Sequence, residues 1–185
     1  MKHLGTRILQ TERLTLRPFL EEDAEAMFDN WASDPEVTKF LSWSAYSSIE
    51  DACAILNIWL KSYERPDFYQ WAIVEKNLGQ PIGSISVVNS DDQVEMAEIG
   101  FCIGKRWWRQ GIMPEALKAV IRYLFEDVGM QRIEAGHDPE NPASGAVQRK
   151  CGLQYEGTLR RRIRSNRGIT DVAWYSILKD EYNLG

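Results

Sequence analysis

The segment ending at Gly129 constrains the fold of this chain more than any other. Leu117, Val120, Ile121, Leu124, Phe125 and Val128 recur at i, i+3, i+4, i+7, i+8 and i+11, which is one apolar stripe of an α-helix. Gly129 follows where a helix commonly ends in a left-handed residue. Strand-like runs flank it: VEMAEIGFCIG within residues 93–104, and QRIEAGH at 131–137. A helical connection of that length joins parallel strands, which a hairpin cannot do. The sheet must therefore hold at least one parallel pair.

The runs before it predict antiparallel pairing. FYQWAIVE (68–75) and PIGSISVVN (81–89) flank a turn at Asn77-Leu78-Gly79, and a third strand spans 93–104. ERLTLRPF (12–19) reads as an opening strand, with Leu14 and Leu16 alternating with polar neighbours. A helix is predicted from Leu20 to Ser33, with Glu21, Glu22 and Asp23 in its first turn. Ser47 and Glu50 match a capping box, and Ala52, Cys53, Leu56, Trp59, Leu60 and Tyr63 form the apolar face of the helix it opens. After the 131–137 strand, Asn141 as N-cap and Pro142 at the first position open a helix that ends at Cys151 and Gly152. EGTLRRRIRS and ITDVAWYSIL then form a hairpin around Asn166-Arg167-Gly168. The expected fold is α/β (α+β): a mixed, mostly antiparallel twisted sheet of six to seven strands flanked by four helices. Nothing resembling a linker or repeat interrupts residues 1–185, so one domain is expected.

Composition excludes some functions. A 44% hydrophobic content is that of a folded chain, and a net charge of −5 argues against binding DNA by bulk charge. Cys53, Cys102 and Cys151 are odd in number and widely spaced, so neither a disulfide framework nor a metal site is expected. They read as reduced, mostly buried residues of a cytoplasmic protein. No run approaches the roughly 20 apolar residues of a membrane helix, and the N-terminus lacks the apolar core of a signal peptide.

The chemistry gathers ahead of the crossover helix, in WWRQGIMPEA (107–116). Free backbone N–H groups and the positive end of the dipole point back into the loop. Gly111 permits close approach to the backbone, and Lys105, Arg106 and Arg109 add charge. This is the composition of a pyrophosphate site. Many helices begin this way and bind nothing, and Trp107 and Trp108 also suit a core; both readings stand. The stretch is neither a P-loop nor a G-x-G-x-x-G fingerprint.

Trp108-Arg109-Gln110-Gly111-Ile112-Met113-Pro114-Glu115-Ala116, following Glu98-Ile99-Gly100-Phe101, resembles the acetyl-CoA loop of the GNAT N-acetyltransferases. Within them it is most similar to the RimJ/RimL type, which acetylates ribosomal-protein N-termini. Arg109 stands where that loop usually has glycine, and Met113 where it has a small residue. Further similarities run from residue 11 to 182: T-E-R-L-T-L-R-P at 11–18, Asn141-Pro142-Ala143-Ser144, Lys150-Cys151-Gly152-Leu153, Glu156-Gly157, and DVAWYSIL at 171–178.

The resemblance implies direct transfer of an acetyl group from acetyl-CoA to a primary amine, with coenzyme A as product. It implies a bulged strand at 93–104 that splays from the strand at 131–137, with pantetheine in the gap against Phe101, Cys102 and Ile103. Backbone N–H groups of about 109–115 would hold the pyrophosphate, through Arg109, Gln110, Gly111, Ile112, Met113, Pro114 and Glu115, with Arg106 and Arg109 reaching phosphates. Asn141 matches a coenzyme-side asparagine and is equally a plain N-cap. Ser144 matches the serine that protonates the leaving thiolate, although a serine in a first helical turn is also ordinary. In one member type a glutamate follows that serine by nineteen positions; here the position is Ile163. Glu98 is the remaining candidate base, with a structural carboxylate as its other reading. His137 and Tyr155 are further titratable candidates; a loop position and a core position are their plainer readings. Cys102 reads as an inert strand thiol.

Without a dedicated base, α-amines are the favoured acceptors. An amine of pKa near 8 is about 10% neutral at pH 7, a lysine amine about a thousandth or less. A protein N-terminus, with ribosomal contact, is the leading expectation. A small amine (amino acid, polyamine or aminoglycoside) or a non-catalytic acyl-CoA-binding role are the alternatives. Arg160, Arg161, Arg162 and Arg164 are either a patch for an acidic or RNA partner or a solvated strand face. Trp43, Tyr46 and Trp174 are candidates for a homodimer contact; a monomer is the other expectation.

Overall fold

The computed structural model describes residues 1–182. Its strands are β1 (Leu9–Gln10), β2 (Leu14–Arg17), β3 (Gln70–Glu75), β4 (Pro81–Asp91), β5 (Met96–Ile103), β6 (Arg132–His137), β7 (Gln154–Ser165) and β8 (Gly168–Leu178). Its helices are α1 (Ala24–Met27), α2 (Pro35–Thr38), α3 (Ile49–Ser62), α4 (Ile112–Tyr123), α5 (Pro142–Lys150) and α6 (Lys179–Tyr182). The strands form one eight-stranded sheet in the order β1-β2-β3-β4-β5-β6-β8-β7. Only β5 and β6 pair in parallel, as the α4 crossover requires.

The sheet has two covered faces. Ile73, Ile85 and Ile99 join Leu117, Val120, Ile121, Leu124 and Phe125 of the crossover helix in one buried cluster. The alternate positions Ala72 and Val74 pack with Phe19, Met27, Trp31 and Leu56 under α1 and α3. Each fully buried Leu or Ile contributes roughly 1.5–3 kcal/mol against exposure. The crossover helix ends in a wide turn over Leu124–Val128, and Gly129 has φ 89°, the left-handed stop its sequence suggests.

Several expected elements differ. The predicted six to seven strands are eight, because the two-residue β1 folds back on β2. The strand expected over 12–19 stops at Arg17, since Pro18 has no N–H to extend the ladder. The helix expected from Leu20 to Ser33 is broken into a 3-10 turn, α1 and a wide turn over Phe28–Ala32. There the Ser33 hydroxyl and N–H both donate to the Phe28 carbonyl, at 2.8 and 3.2 Å. The capping box lies one residue later than expected, at Ser48 and Asp51, and Asp51 also accepts from the Ser47 N–H and hydroxyl. Cys53 is exposed rather than part of the apolar face, Cys102 is half-buried and Cys151 buried, and all three are free. Among the described residues the helices number six rather than four; α2 and α6 are four residues each and lack a helical period to read.

One buried ion pair sets the entry to α1. Asp23, 3% exposed, accepts 2.7 and 2.8 Å bonds from the Arg17 guanidinium and a 2.8 Å bond from the Leu20 N–H. Asp23→Ala strands that guanidinium, and chemical denaturation should show a loss of about 3 kcal/mol, with Asp23→Asn losing less.

A second pair ties the sheet's far side. Arg132 donates to Glu156 at 2.7 and 2.8 Å and to Glu134 at 2.8 Å. Arg132, followed by the Ser176 hydroxyl, holds the Glu156 carboxyl down to about 2. A depressed carboxyl stabilises the fold above its unfolded pKa. That contribution should therefore fade as pH falls from about 4.5 toward 2, and Glu156→Gln should flatten this part of an acid-denaturation curve.

Candidate active site

β5 and β6 pair only at Met96↔Arg132, Ala97↔Ile133 and Glu98↔Glu134. Beyond this both strands continue, to Ile103 and His137, without pairing each other. A wedge-shaped gap therefore opens in the middle of the sheet. Its two sides carry glycines at equivalent positions, and both are filled by residues of the outer strands. A Cβ at Gly100 would meet Val88 Cγ1 at 2.8 Å; one at Gly136 would meet the Trp174 ring at 2.6 Å and Val172 Cγ2 at 2.7 Å. The bulge expected in the strand at 93–104 lies instead on its partner β4. There Val87↔Ile99 is followed by Asn89↔Glu98, which leaves Val88 as the extra residue. Trp174 is thus a wall of the gap's surroundings, while Trp43 and Tyr46 pack against each other at a tilt, ring centres 5.1 Å apart, against the α3 cluster.

Phe101, Cys102 and Ile103 form the β5 side of the gap, each half-buried. Phe101 and Ile103 pack toward the α4 cluster, and Cys102 toward the α3 cluster. Burial raises the Cys102 thiol, opposed by a bond with Ser84, so it stays protonated at neutral pH.

At the open end of β5, Gly104 lies against the Asn30 carbonyl and the Trp107 ring, where no side chain fits. Trp107 is core, its indole N–H donating to Glu75 at 3.0 Å, while Trp108 is exposed and donates to the Ile103 carbonyl at 2.9 Å. Arg109 has φ 62° and Gly111 φ 76°. This turns the chain so that the N–H groups of Arg109, Gln110, Gly111, Ile112 and Met113 meet no protein acceptor among the described residues. They lie at the positive end of α4. Arg106 and Arg109 are exposed beside them.

Two expected coenzyme contacts look elsewhere. Pro114 has no N–H, and the Glu115 N–H is spent on the Gly111 carbonyl at 3.2 Å. The Glu115 carboxylate accepts from Thr11 at 2.6 Å and from the Arg13 backbone and guanidinium at 2.9 and 2.6 Å. Burial raises that carboxyl, but these donors outweigh it and leave it lowered. Glu115 fastens the β1–β2 turn to the helix. Gln110 is fastened too: its carbonyl accepts from Arg13 at 2.9 Å and its amide donates to the Arg106 carbonyl at 2.7 Å.

The far side of the gap is α5. Asn141 caps it, accepting weakly from the Ser144 N–H at 3.4 Å, and the half-buried Ser144 hydroxyl has no protein partner among the described residues. His137, expected in a loop, is buried on β6; its Nδ1 pairs with the Gln148 amide oxygen at 3.0 Å. Burial lowers its pKa, keeping it neutral at pH 7. Tyr155, expected in the core, is exposed.

Glu98 stands at the foot of the gap, at the last paired position. Burial and then the neighbouring Glu134 raise its carboxyl, with Asn89 and Arg162 opposing.

One feature left no trace in local sequence pattern. The β7–β8 tip closes the open end. Asn166 donates to the Thr38 and Trp43 carbonyls at 2.8 Å each, and its N–H reaches the Leu41 carbonyl at 3.0 Å. Arg167 pairs with buried Asp138 at 2.8 Å and with Glu140 at 2.6 Å, over the Phe40 ring. Segments far apart in sequence thus meet above β6, and only Asn166-Arg167-Gly168 as a turn was readable.

A splayed parallel pair, with unpartnered N–H groups at the next helix's start, fits a long anionic thioester entering the sheet. Residues 13–154 match the family model described as an acetyltransferase (GNAT) domain. The chain belongs to the GNAT acetyltransferase family. This N-acetyltransferase uses acetyl-CoA, and the sequence expectations of family, fold and coenzyme agree with that. It is 33% identical over 174 residues to the uncharacterized N-acetyltransferase p20 of Bacillus licheniformis, covering 94% of this chain and 97% of the relative. It is 26% identical over 156 residues to the ribosomal protein uS5-alanine N-acetyltransferase of Escherichia coli, covering 80% and 79%. The crystal structure of a GNAT-family acetyltransferase from Bacillus anthracis superposes with TM-score 0.83 at 25% identity, covering 94% of this chain and 99% of that one. No helix among the described residues is long and apolar enough to cross a membrane.

The two left-handed residues of the acetyltransferase loop give separable expectations. Arg109→Gly should raise stability by about 0.5–1 kcal/mol in thermal denaturation, because relief of left-handed strain exceeds the entropy glycine loses. Gly111→Ala should lower stability by about 1 kcal/mol and weaken acetyl-CoA binding about tenfold by calorimetry, through disturbance of the N–H array.

Proposed function

We propose that the acetyltransferase modifies the N-terminal α-amine of a protein, with ribosomal proteins as the leading class of acceptor. The observation that carries this is the pair of carboxylates at the foot of the gap, Glu98 beside Glu134. A carboxylate base, even one raised by burial, is a weak acceptor of protons. An α-ammonium near pKa 8 lies within its reach far more readily than a lysine near 10.4. The E. coli relative's activity on ribosomal protein uS5 supports the same reading. On this reading the protein works in the cytoplasm.

Acetyl-CoA, when bound, supplies a thioester open to attack by a neutral amine. The N–H groups of residues 109–113, with Arg106 and Arg109, neutralise the pyrophosphate. Phe101, Cys102 and Ile103 line the pantetheine, with Asn141 at its α5 side. Glu98 would take the ammonium proton through water; as the tetrahedral intermediate collapses, the unpartnered Ser144 hydroxyl would give its proton to the departing sulfur and regain one from the newly bonded nitrogen.

The first test is mass spectrometry of acetyl transfer to a pooled panel of peptides, amino acids, polyamines and aminoglycosides. Acetylated peptide α-amines are the expected product; modification of small amines alone overturns the reading. Ser144→Ala should lower kcat about a hundredfold, leaving KM for acetyl-CoA within about twofold. A base works ionised, so kcat/KM should rise with pH through the Glu98 pKa, and Glu98→Gln should remove that lower limb.

A further inference from the structure

β7 is an edge strand, and it carries an unusual irregularity beside the gap. Leu159 pairs with Val172 and Ile163 with Thr170, so Arg160, Arg161 and Arg162 stand opposite Asp171 alone. Arg161 lies at φ 50°, the left-handed region that side-chain-bearing residues rarely enter. The Asp171 carboxylate is engaged by the Arg161 backbone N–H at 2.8 Å. The bulge thereby crowds Arg160, Arg161 and Arg162 opposite one partner residue, with Arg164 just beyond. All four side chains are exposed, and none pairs with a carboxylate among the described residues. They form an exposed cationic ridge on a chain of net charge −5.

The ridge is fixed beside the gap. It directly precedes the hairpin tip that Asn166 and Arg167 tie to the 38–43 segment and to Asp138. Val172, at one end of the bulge, also covers Gly136 at the gap. The charge of Arg162 acts on Glu98. β5 and β7 are three strand spacings apart, on the order of 15 Å, which an extended peptide covers in about four or five residues.

We propose that the β7 arginine bulge recognises acidic side chains within about the first six residues of the acceptor peptide. The inference rests on the N-terminal acetylation reading. An acidic peptide is favoured over RNA because the chain's overall charge opposes a polyanion with a wide footprint. A ridge serving only to blunt an edge strand would show no substrate preference.

The test uses the full chain, acetyl-CoA and synthetic peptides of one N-terminal dipeptide, followed by Asp/Glu, Asn/Gln or Lys at the next four positions. Release of coenzyme A thiol gives kcat and KM for each. The acidic series should have kcat/KM about tenfold above the amide series, carried by KM and shrinking as salt is raised. In R160A/R162A, and independently in Arg161→Gly, whose backbone suits the bulge, that ratio should fall to about one. Equal KM for acidic and amide peptides, a ratio that survives these substitutions, or RNA capture without peptide preference would overturn the inference. In those cases N-terminal acetylation itself still stands. Small amines acetylated with every peptide untouched would instead sink both readings.

Discussion

Three residues of parallel pairing hold this molecule's two halves together and open its candidate active site. Antiparallel pairs build the β1–β5 side and the β6–β8–β7 side. The ladder of residues 96–98 with 132–134 joins them. Where the ladder stops, the sheet does not close, because Gly100 and Gly136 are roofed from outside by Val88, Val172 and Trp174 rather than by contacts with each other. A protein interior is close-packed, so such a gap persists only when both banks are independently rigid. Here β4 braces β5 and β8 braces β6 along their whole lengths.

The gap is electrically polarised. Unpartnered N–H groups and exposed arginines stand at the start of α4, and Glu98 and Glu134 stand at the foot. In the function proposed above, an anionic donor and a cationic acceptor would be drawn to different places in the same opening. The frame around the loop absorbs its own charges: Glu115 and Gln110 are bound by Thr11, Arg13 and the Arg106 carbonyl. Backbone strain is present there as well, with Arg109 at φ 62°.

Much of this was legible in the chain. The α4 stripe, its Gly129 stop, the Asn141-Pro142 start of α5 and the 166–168 turn each depend on contacts a few residues long, and each is where periodicity and capping indicate. The elements that misread have long-range causes. Leu20 to Ser33 looks helical throughout, yet Ser33 competes for the Phe28 carbonyl and the Asn30 carbonyl packs on Gly104. Glu115 reads as part of a phosphate loop until the β1–β2 turn brings Arg13 against it. His137 reads as a loop residue until Gln148 and Tyr175 enclose it, the latter ring 5.4 Å away.

The sequence by itself determined the periodic elements, the forced parallel crossover and the character of the α4 start, because propensity, capping and apolar repeat act over one or two turns. Its several ordered motifs also sufficed for the family. Tertiary structure alone decided where the bulge falls, which N–H groups stay free, and which carboxylates meet at the foot of the gap. It also decided that Asn166 and Arg167 close the entrance over segments 128 and 29 residues away. These depend on strand register and on side chains meeting across the sheet, and no local pattern encodes a register that the rest of the fold must complete.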